Sequence, residues 1–387
     1  MKKVYDETLL RNEYAQALAK RLLTAGQISK EQHEQAQKLH ADIPYNPNFF
    51  IKILLFFFGC LGFSFGGSFV SLFFLGAFPE GYGVLGALYG FGMIFVLLFL
   101  IKQRKLHFSG VDNALIYGIL GCALPLLFQL YETMGIDEVW VVALMALPFF
   151  GIVIYCFGEP LVAVMAYLLS LFIIASIAMK HPLTKALLPF ILMILSVGVY
   201  YWLRRFEQQS RAFYWQTAIA WTQTVVLIMI YVSGNYYVVR QANATLNGLP
   251  DPAPEIAFAP VFWGLTFLIP AFYLYFGFRE RRLTLLILGL LGVLAAGSTV
   301  RMYHSVLPLE WVLVLGGTLV VLGAGWVIKL LKTPRFGFSH DPEEVSANRL
   351  GLEAVLLSQL TKNVQSADHG VQLGGGDFGG GGAGEKY

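Results

Sequence analysis

From Phe49 the chain reads FFIKILLFFFGCLGFSFGGSFVSLFFLGA, a run to Ala77 in which Lys52 is the only charged residue. A segment like this leaves very few options. In hydrocarbon there is no water to satisfy a backbone amide, so each N–H and C=O must bond within its own segment, and the segment must be a helix. About 20 apolar residues cross the ~30 Å core of a bilayer. Blocks of this kind recur over 49–77, 84–101, 112–130, 139–157, 160–179, 186–203, 214–238, 258–278, 283–300 and 308–331. The fold class that follows is all-α: a polytopic integral membrane helical bundle of about ten transmembrane helices, with short helical segments at both ends. Composition agrees. Only 13% of the residues are charged and 57% are hydrophobic, against roughly 25% charged in soluble proteins.

The joints carry turn signals: PEGYG at 79–83, MGID at 134–137, FGEP at 157–160 and GLPDPAPE at 248–255. Two joints stay open. The first block is long enough to tilt strongly or to break at Gly59, Gly62, Gly66 or Gly67. The fourth and fifth blocks are separated only by Gly158 and Glu159 before Pro160, which allows a tight hairpin or one merged helix. Gly62-x-x-x-Gly66, with Gly316, Gly317, Gly323 and Gly325, predicts close helix packing.

The charges test the count. With the N-terminus in the cytoplasm, all of the 27 Lys and Arg fall inside except Lys180, Lys185, Arg240 and Arg301. That is the bias expected for loops that stay on the cytoplasmic side, and it places both termini there. The only sizeable outer loop spans about 240–257. No signal peptide or lipidation signal is expected from the two ends. Cys60, Cys122 and Cys156 each sit in an apolar block without metal-ligand spacing, so they read as small embedded residues.

Residues 1–45 read as a cytoplasmic helical hairpin, followed by the transmembrane domain at 46–332, an amphipathic cytoplasmic helix within 333–365 and a flexible tail at 366–387. Leu10, Tyr14, Leu18 and Leu22 make an apolar stripe, Gly26 caps the first helix, and Ser29 with Gln32 forms a capping box for the second. Asp6, Glu7, Glu13, Glu31 and Glu34 deny the hairpin a basic face, which argues against nucleic acid. The later helix is expected to open on Asp341 and Pro342 and to bury Val345, Leu352, Leu356 and Leu360 against the membrane surface, the N-terminal hairpin or another protein, with its few bases favouring protein contact. In the tail, Gly374, Gly376 and Gly379 satisfy G-x-G-x-x-G, but a dinucleotide loop needs a strand before it and a helix after it. The match reflects glycine density.

Ionisable or amide groups within spans are the places to look for function. Arg301, His304 and Glu310 bracket the loop between the last two blocks. They form either an interfacial salt bridge or an outward-facing site for a small anion or zwitterion. Gln223, beside Thr217, Thr222 and Thr224, must find a partner within its span. Asp112 and Glu159 lie near inner span ends, as caps, as interface charges or as proton-relay carboxylates. Nucleotide, metal-cluster and nucleophile-elbow patterns are missing, so neither a cofactor, a metal nor an enzyme activity is expected.

The stretch LLTAGQISKEQ at 22–32, followed by Gly- and Phe-rich spans, resembles a family of bacterial polytopic membrane proteins of the domain-of-unknown-function type, the 2157/4401 group. The resemblance implies the bacterial cytoplasmic (inner) membrane and supplies neither an activity nor site residues. Two function classes remain. One is a membrane scaffold or accessory subunit whose partners, besides the lipid bilayer, are proteins bound through the N-terminal hairpin and the C-terminal helix. The other is a small-solute transporter with a site between its helices. Ten spans permit an inverted repeat, without internal sequence similarity to support one.

Overall fold

Every long apolar block that falls within the described residues is an α-helix, as unsolvated amides require. The computed structural model describes residues 3–24, 28–74, 81–135, 137–250, 252–303 and 317–318. Gly26, His304, Glu310, the C-terminal helix, the Gly-rich tail and all but 317–318 of the expected tenth block lie outside these residues. The helices are α1 (Glu7–Thr24), α2 (Lys30–Leu39), α3 (Phe49–Phe74), α4 (Tyr82–Arg104), α5 (Val111–Thr133), α6 (Val139–Phe157), α7 (Pro160–Ala178), α8 (Pro182–Ala186), α9 (Leu188–Glu207), α10 (Gln216–Gly234), α11 (Tyr236–Asn247), α12 (Ala259–Arg279) and α13 (Leu283–Tyr303). Among the described residues nine helices are long and apolar enough to cross a membrane: α3 to α7, α9, α10 with the 3-10 turn at Ser210–Trp215 before it, α12 and α13. β structure among the described residues is confined to one isolated bridge, Tyr45 to Leu106. This is the architecture of a multi-pass membrane protein.

Both open joints are resolved by local chemistry. The first block runs unbroken as α3, whose 26 residues span about 39 Å, longer than the ~30 Å core. The fourth and fifth blocks separate into a tight hairpin. Gly158 adopts φ +62 at the end of α6, and Pro160 takes the first position of α7. The seventh block is shorter than its apolar run, because the chain breaks at Asn235. The Asn235 side chain accepts from the Val238 N–H at 3.1 Å and starts a new helix. Much of the expected outer loop is therefore α11, which buries Tyr236, Val239 and Ala244 and ends at Gly248 with φ +61.

Two cores organise the bundle. Central α10 packs against α7, α9, α12 and α13, and its Val226 is fully buried. A second core gathers Leu97 and Ile101 of α4, Leu115 and Ile116 of α5 and Val162 of α7 around Tyr5 and Tyr214. Close packing falls on one expected glycine, Gly66, and on others the sequence did not single out. A Cβ at Gly289 would lie 2.8 Å from Leu274 Cγ, and one at Gly292 would lie 2.8 Å from Pro270 Cγ, so α12 and α13 touch through these positions. Gly66 meets Tyr89, whereas Gly62 faces open space.

The α1–α2 hairpin forms as the stripe and cap predict. Ser29 Oγ accepts from Gln32 N at 3.2 Å and Gln32 Oε1 accepts from Ser29 N at 2.9 Å. Asn12 Nδ2 donates to Asp42 O at 2.9 Å and Gln16 Nε2 to His40 O at 2.6 Å, folding the linker back on α1. After α4, Lys105 adopts φ 49 and Gly110 φ 105, which turns the chain into α5. Gly110 is pressed against the α3 backbone at Lys52 and Phe56. Gly110→Ala therefore combines a strained φ with a backbone clash. It is expected to cost ~1–3 kcal/mol as a lowered melting temperature in detergent, whereas Gly62→Ala leaves the melt unchanged.

Candidate functional site

Asp112 is the second residue of α5 and Glu159 immediately precedes α7. Neither sits at the membrane surface as a solvated charge: Asp112 is 0% exposed and Glu159 1%. Burying a carboxylate is costly unless its oxygens find donors, and here the donors come from several elements. Asp112 Oδ1 accepts from the Ser109 N–H and hydroxyl, both at 2.8 Å, and Oδ2 accepts from the Tyr5 hydroxyl at 2.7 Å. Asn113 and Tyr117 are four apart on α5 and share a face. Asn113 Nδ2 donates to Glu159 Oε2 at 2.9 Å, and the Tyr117 hydroxyl donates to Oε1 at 2.5 Å.

All these donors are neutral. Among the described residues no ion pair joins Asp112 or Glu159 to a base. Burial pushes the Glu159 carboxyl up to about 7, and the charge of Asp112 adds to this, while Tyr117 and Asn113 as donors draw it only partly back. The Tyr5 phenol is held well above its ordinary value by burial and then by Asp112, so it remains a donor. The arrangement can bind and release one proton near neutrality inside a water-poor site.

The N-terminal segment covers this pair. Val4 N donates to Cys156 O at 3.0 Å and Tyr5 N to the Tyr214 hydroxyl at 3.3 Å, and the Tyr214 hydroxyl itself donates to Cys156 O. The Tyr5 ring meets His107, Phe108 and Phe157 edge-on, at 5.0, 5.8 and 6.0 Å. Lys3 Nζ lies 4.5 Å from the Trp215 ring centre and pairs with Glu7.

The candidates from sequence are placed separately. Gln223, two turns into α10, donates to Glu207 Oε2 at 3.1 Å. Glu207 also receives Arg282 at 3.1 Å, and Arg204 bridges Glu207 and Glu280 at 3.3 and 2.6 Å. Thr222 and Thr224 donate to carbonyls of their own helix. Arg301 is half-buried in the last turn of α13, and its Nη1 makes no hydrogen bond among the described residues. Arg282 and Gln223 meet at Glu207, while α13 carries Arg301 about 28 Å from Arg282. Gln223 and Arg301 therefore belong to opposite ends of the bundle. His304 and Glu310 lie outside the described residues.

The far end has its own polar group. Asn235 Nδ2 donates to the Tyr231 hydroxyl at 3.0 Å and to Thr299 Oγ1 at 3.1 Å. Arg240 binds Ala253 O at 2.6 Å and lies 4.7 Å from the Tyr303 ring centre. Sequence reasoning missed Asn113, Tyr117 and Tyr5 as partners of the acids. Asn113 and Tyr117 were detectable as a polar pair at helical spacing within an apolar block. Tyr5 was not, because 107 residues separate it from Asp112.

In comparisons with family models, curated proteins and solved structures, the chain matches none.

Two measurements follow. Glu159 binds its proton more tightly in the folded protein than at its ordinary value of 4.5. That contribution to stability is complete below the ordinary value and is lost as pH rises through the folded one. The melting temperature in detergent is expected to fall from about pH 5 to about pH 8, with Glu159→Gln flattening the decline. Separately, Glu207→Ala leaves Arg282, whose side chain is 12% exposed, with only the longer contact to Glu280 at 3.8 Å. A loss of ~3 kcal/mol is expected, and the double variant with Arg282→Leu should lose less than the sum of the single variants.

Proposed function

We propose that this chain is a small-solute carrier coupled to protons, with Asp112 and Glu159 as its proton-binding pair between transmembrane helices. The observation that carries the reading is the burial of two carboxylates, 0% and 1% exposed, on neutral donors alone among the described residues. Buried acids at the ends of membrane spans are expensive, and acids among transmembrane helices mark ion or proton pathways. A structural role would be met more cheaply by apolar packing. Glu159 changes charge near pH 7, so solute binding that alters its surroundings moves a proton. Neither this reading nor the next requires catalysis.

The membrane is the bacterial cytoplasmic membrane, with both termini in the cytoplasm and a tenth span after α13. Support comes from the bases. Lys102, Arg104, Lys105, Arg204, Arg205, Arg211, Arg279, Arg281 and Arg282 lie at the hairpin end, against Lys180, Lys185, Arg240 and Arg301 at the other. Membership of the 2157/4401 group would fit this location.

One observation favours the second reading, a scaffold or accessory subunit. Helix α2 has no buried residue, and its face away from α1 is open to a protein partner. The two readings separate in proteoliposomes that enclose a pH-sensitive dye and are challenged with pools of small anions and zwitterions. A carrier gives solute-dependent proton movement that disappears in folded Glu159→Gln. Silence from every pool, with a stoichiometric protein partner lost on removing residues 1–45 or 336–387, would replace the carrier by the scaffold.

A further inference from the structure

We propose that Tyr5 is a gate: its ring plugs the hairpin-end mouth of the Asp112–Glu159 site, and its withdrawal opens that site to water. The gate's use in transport rests on the carrier reading above, but the closure itself does not. Tyr5 is 4% exposed although it belongs to a short non-helical segment ahead of α1. Its ring sits where four elements converge: His107 and Phe108 before α5, Asp112 in α5, Phe157 at the end of α6, and Tyr214 before α10.

The ring packs on apolar and aromatic neighbours, and its hydroxyl reaches a polar floor at Asp112. Withdrawing the segment, ring and backbone together, frees Asp112 Oδ2 from the Tyr5 hydroxyl, the Tyr214 hydroxyl from Tyr5 N and Cys156 O from Val4 N. A cavity with several polar partners takes up water, whereas an apolar one stays dry. Withdrawal of the ring therefore hydrates the acid pair.

Although the Tyr5 ring is part of the second core, the segment that carries it has few tethers. It hangs from two backbone hydrogen bonds, Val4 N to Cys156 O and Tyr5 N to Tyr214, and from one side-chain bond to Asp112. Behind it α1 buries only Leu10 and Ala19, and α2 buries none. Its links to the membrane domain include an edge contact of Tyr14 with Phe213 at 5.8 Å, Arg11 over Phe213 at 5.4 Å, and Glu13 at 3.6 Å from His107. Segments with few buried apolar contacts open first. The groups that face Tyr5 and its acid are thus Asp112, Glu159, His107, Tyr214 and Glu13, with Lys3 and Glu7 on its own segment.

Hydrogen–deuterium exchange of the buried carboxyl proton reads the gate directly. The full-length protein in detergent is held at about pH 5, where Glu159 carries its proton. The infrared C=O band of that carboxyl is identified by its loss in Glu159→Gln and followed after transfer to D2O. Tyr5→Ala is expected to speed the exchange at least about tenfold, while Tyr5→Phe, which keeps the ring, stays within about twofold of wild type. Val4→Pro removes one anchor and leaves Tyr5 in place. It is expected to speed exchange about threefold, and it decides the matter if Tyr5→Ala fails to give a folded, monodisperse protein. Wild-type exchange rates in folded Tyr5→Ala, or in Val4→Pro should the alanine variant not fold, would overturn the gate. Equally fast exchange in Tyr5→Phe and Tyr5→Ala would overturn it as a ring plug. Faster exchange without any solute-linked proton flux leaves the gate standing and removes the carrier. Unchanged exchange with flux lost in Glu159→Gln does the reverse.

Discussion

An amide in hydrocarbon has only its own chain for a partner. That constraint turns every long apolar block among the described residues into helix and leaves β structure to one bridge outside the spans. It also governs the small hydroxyl side chains. Ser196, Thr222, Thr224 and Thr266 each donate to the carbonyl four residues earlier, at 2.6 to 2.9 Å. In that way their protons are satisfied within their own helices, while Ser196 also meets the Tyr167 hydroxyl and Thr266 accepts from the Tyr236 N–H.

With the backbone closed on itself, helix association depends on fit and on a few polar contacts. Fit concentrates on α10 and on the glycines where α12 and α13 touch. The polar contacts concentrate near the ends of helices. At the hairpin end Glu207 gathers Arg204, Arg282 and Gln223, tying α9 and α10 to the start of α13. At the other end Asn235 ties α10 and α11 to Thr299 of α13. These are the chemically expected places, because burial there is shallower and long side chains reach outward.

The Asp112–Glu159 pair also sits at helix starts but differs in its partners. Glu207 is matched by arginines, but the acids beneath Tyr5 are held by hydroxyls and amides. Neutral donors lower the cost of a buried negative charge without cancelling it, so one carboxyl keeps its proton to about pH 7. A site half compensated in this way is a poorer brace than a salt-bridged one. The N-terminal segment completes it, since the third donor to Asp112 comes from Tyr5.

By itself, the sequence determined the long apolar helices among the described residues and most of their ends. The reason is local. Apolar run length, Pro160 at a helix start and the Ser29–Gln32 box act within one turn or one span. It also singled out Asp112, Glu159 and Gln223 as unusual, because a polar group in an apolar run is visible without a fold. Their partners were not visible. Tyr5 meets Asp112 across 107 residues, Asn113 and Tyr117 meet Glu159 across 46 and 42, and Gln223 meets Glu207 across 16. Only tertiary packing decided those meetings, because they depend on how α5, α7 and α10 lie against one another and on where the N-terminal segment settles. The break at Asn235 likewise turned on a tertiary partner. An uninterrupted apolar run ended there because Asn235 caps the next helix and reaches Thr299 on α13.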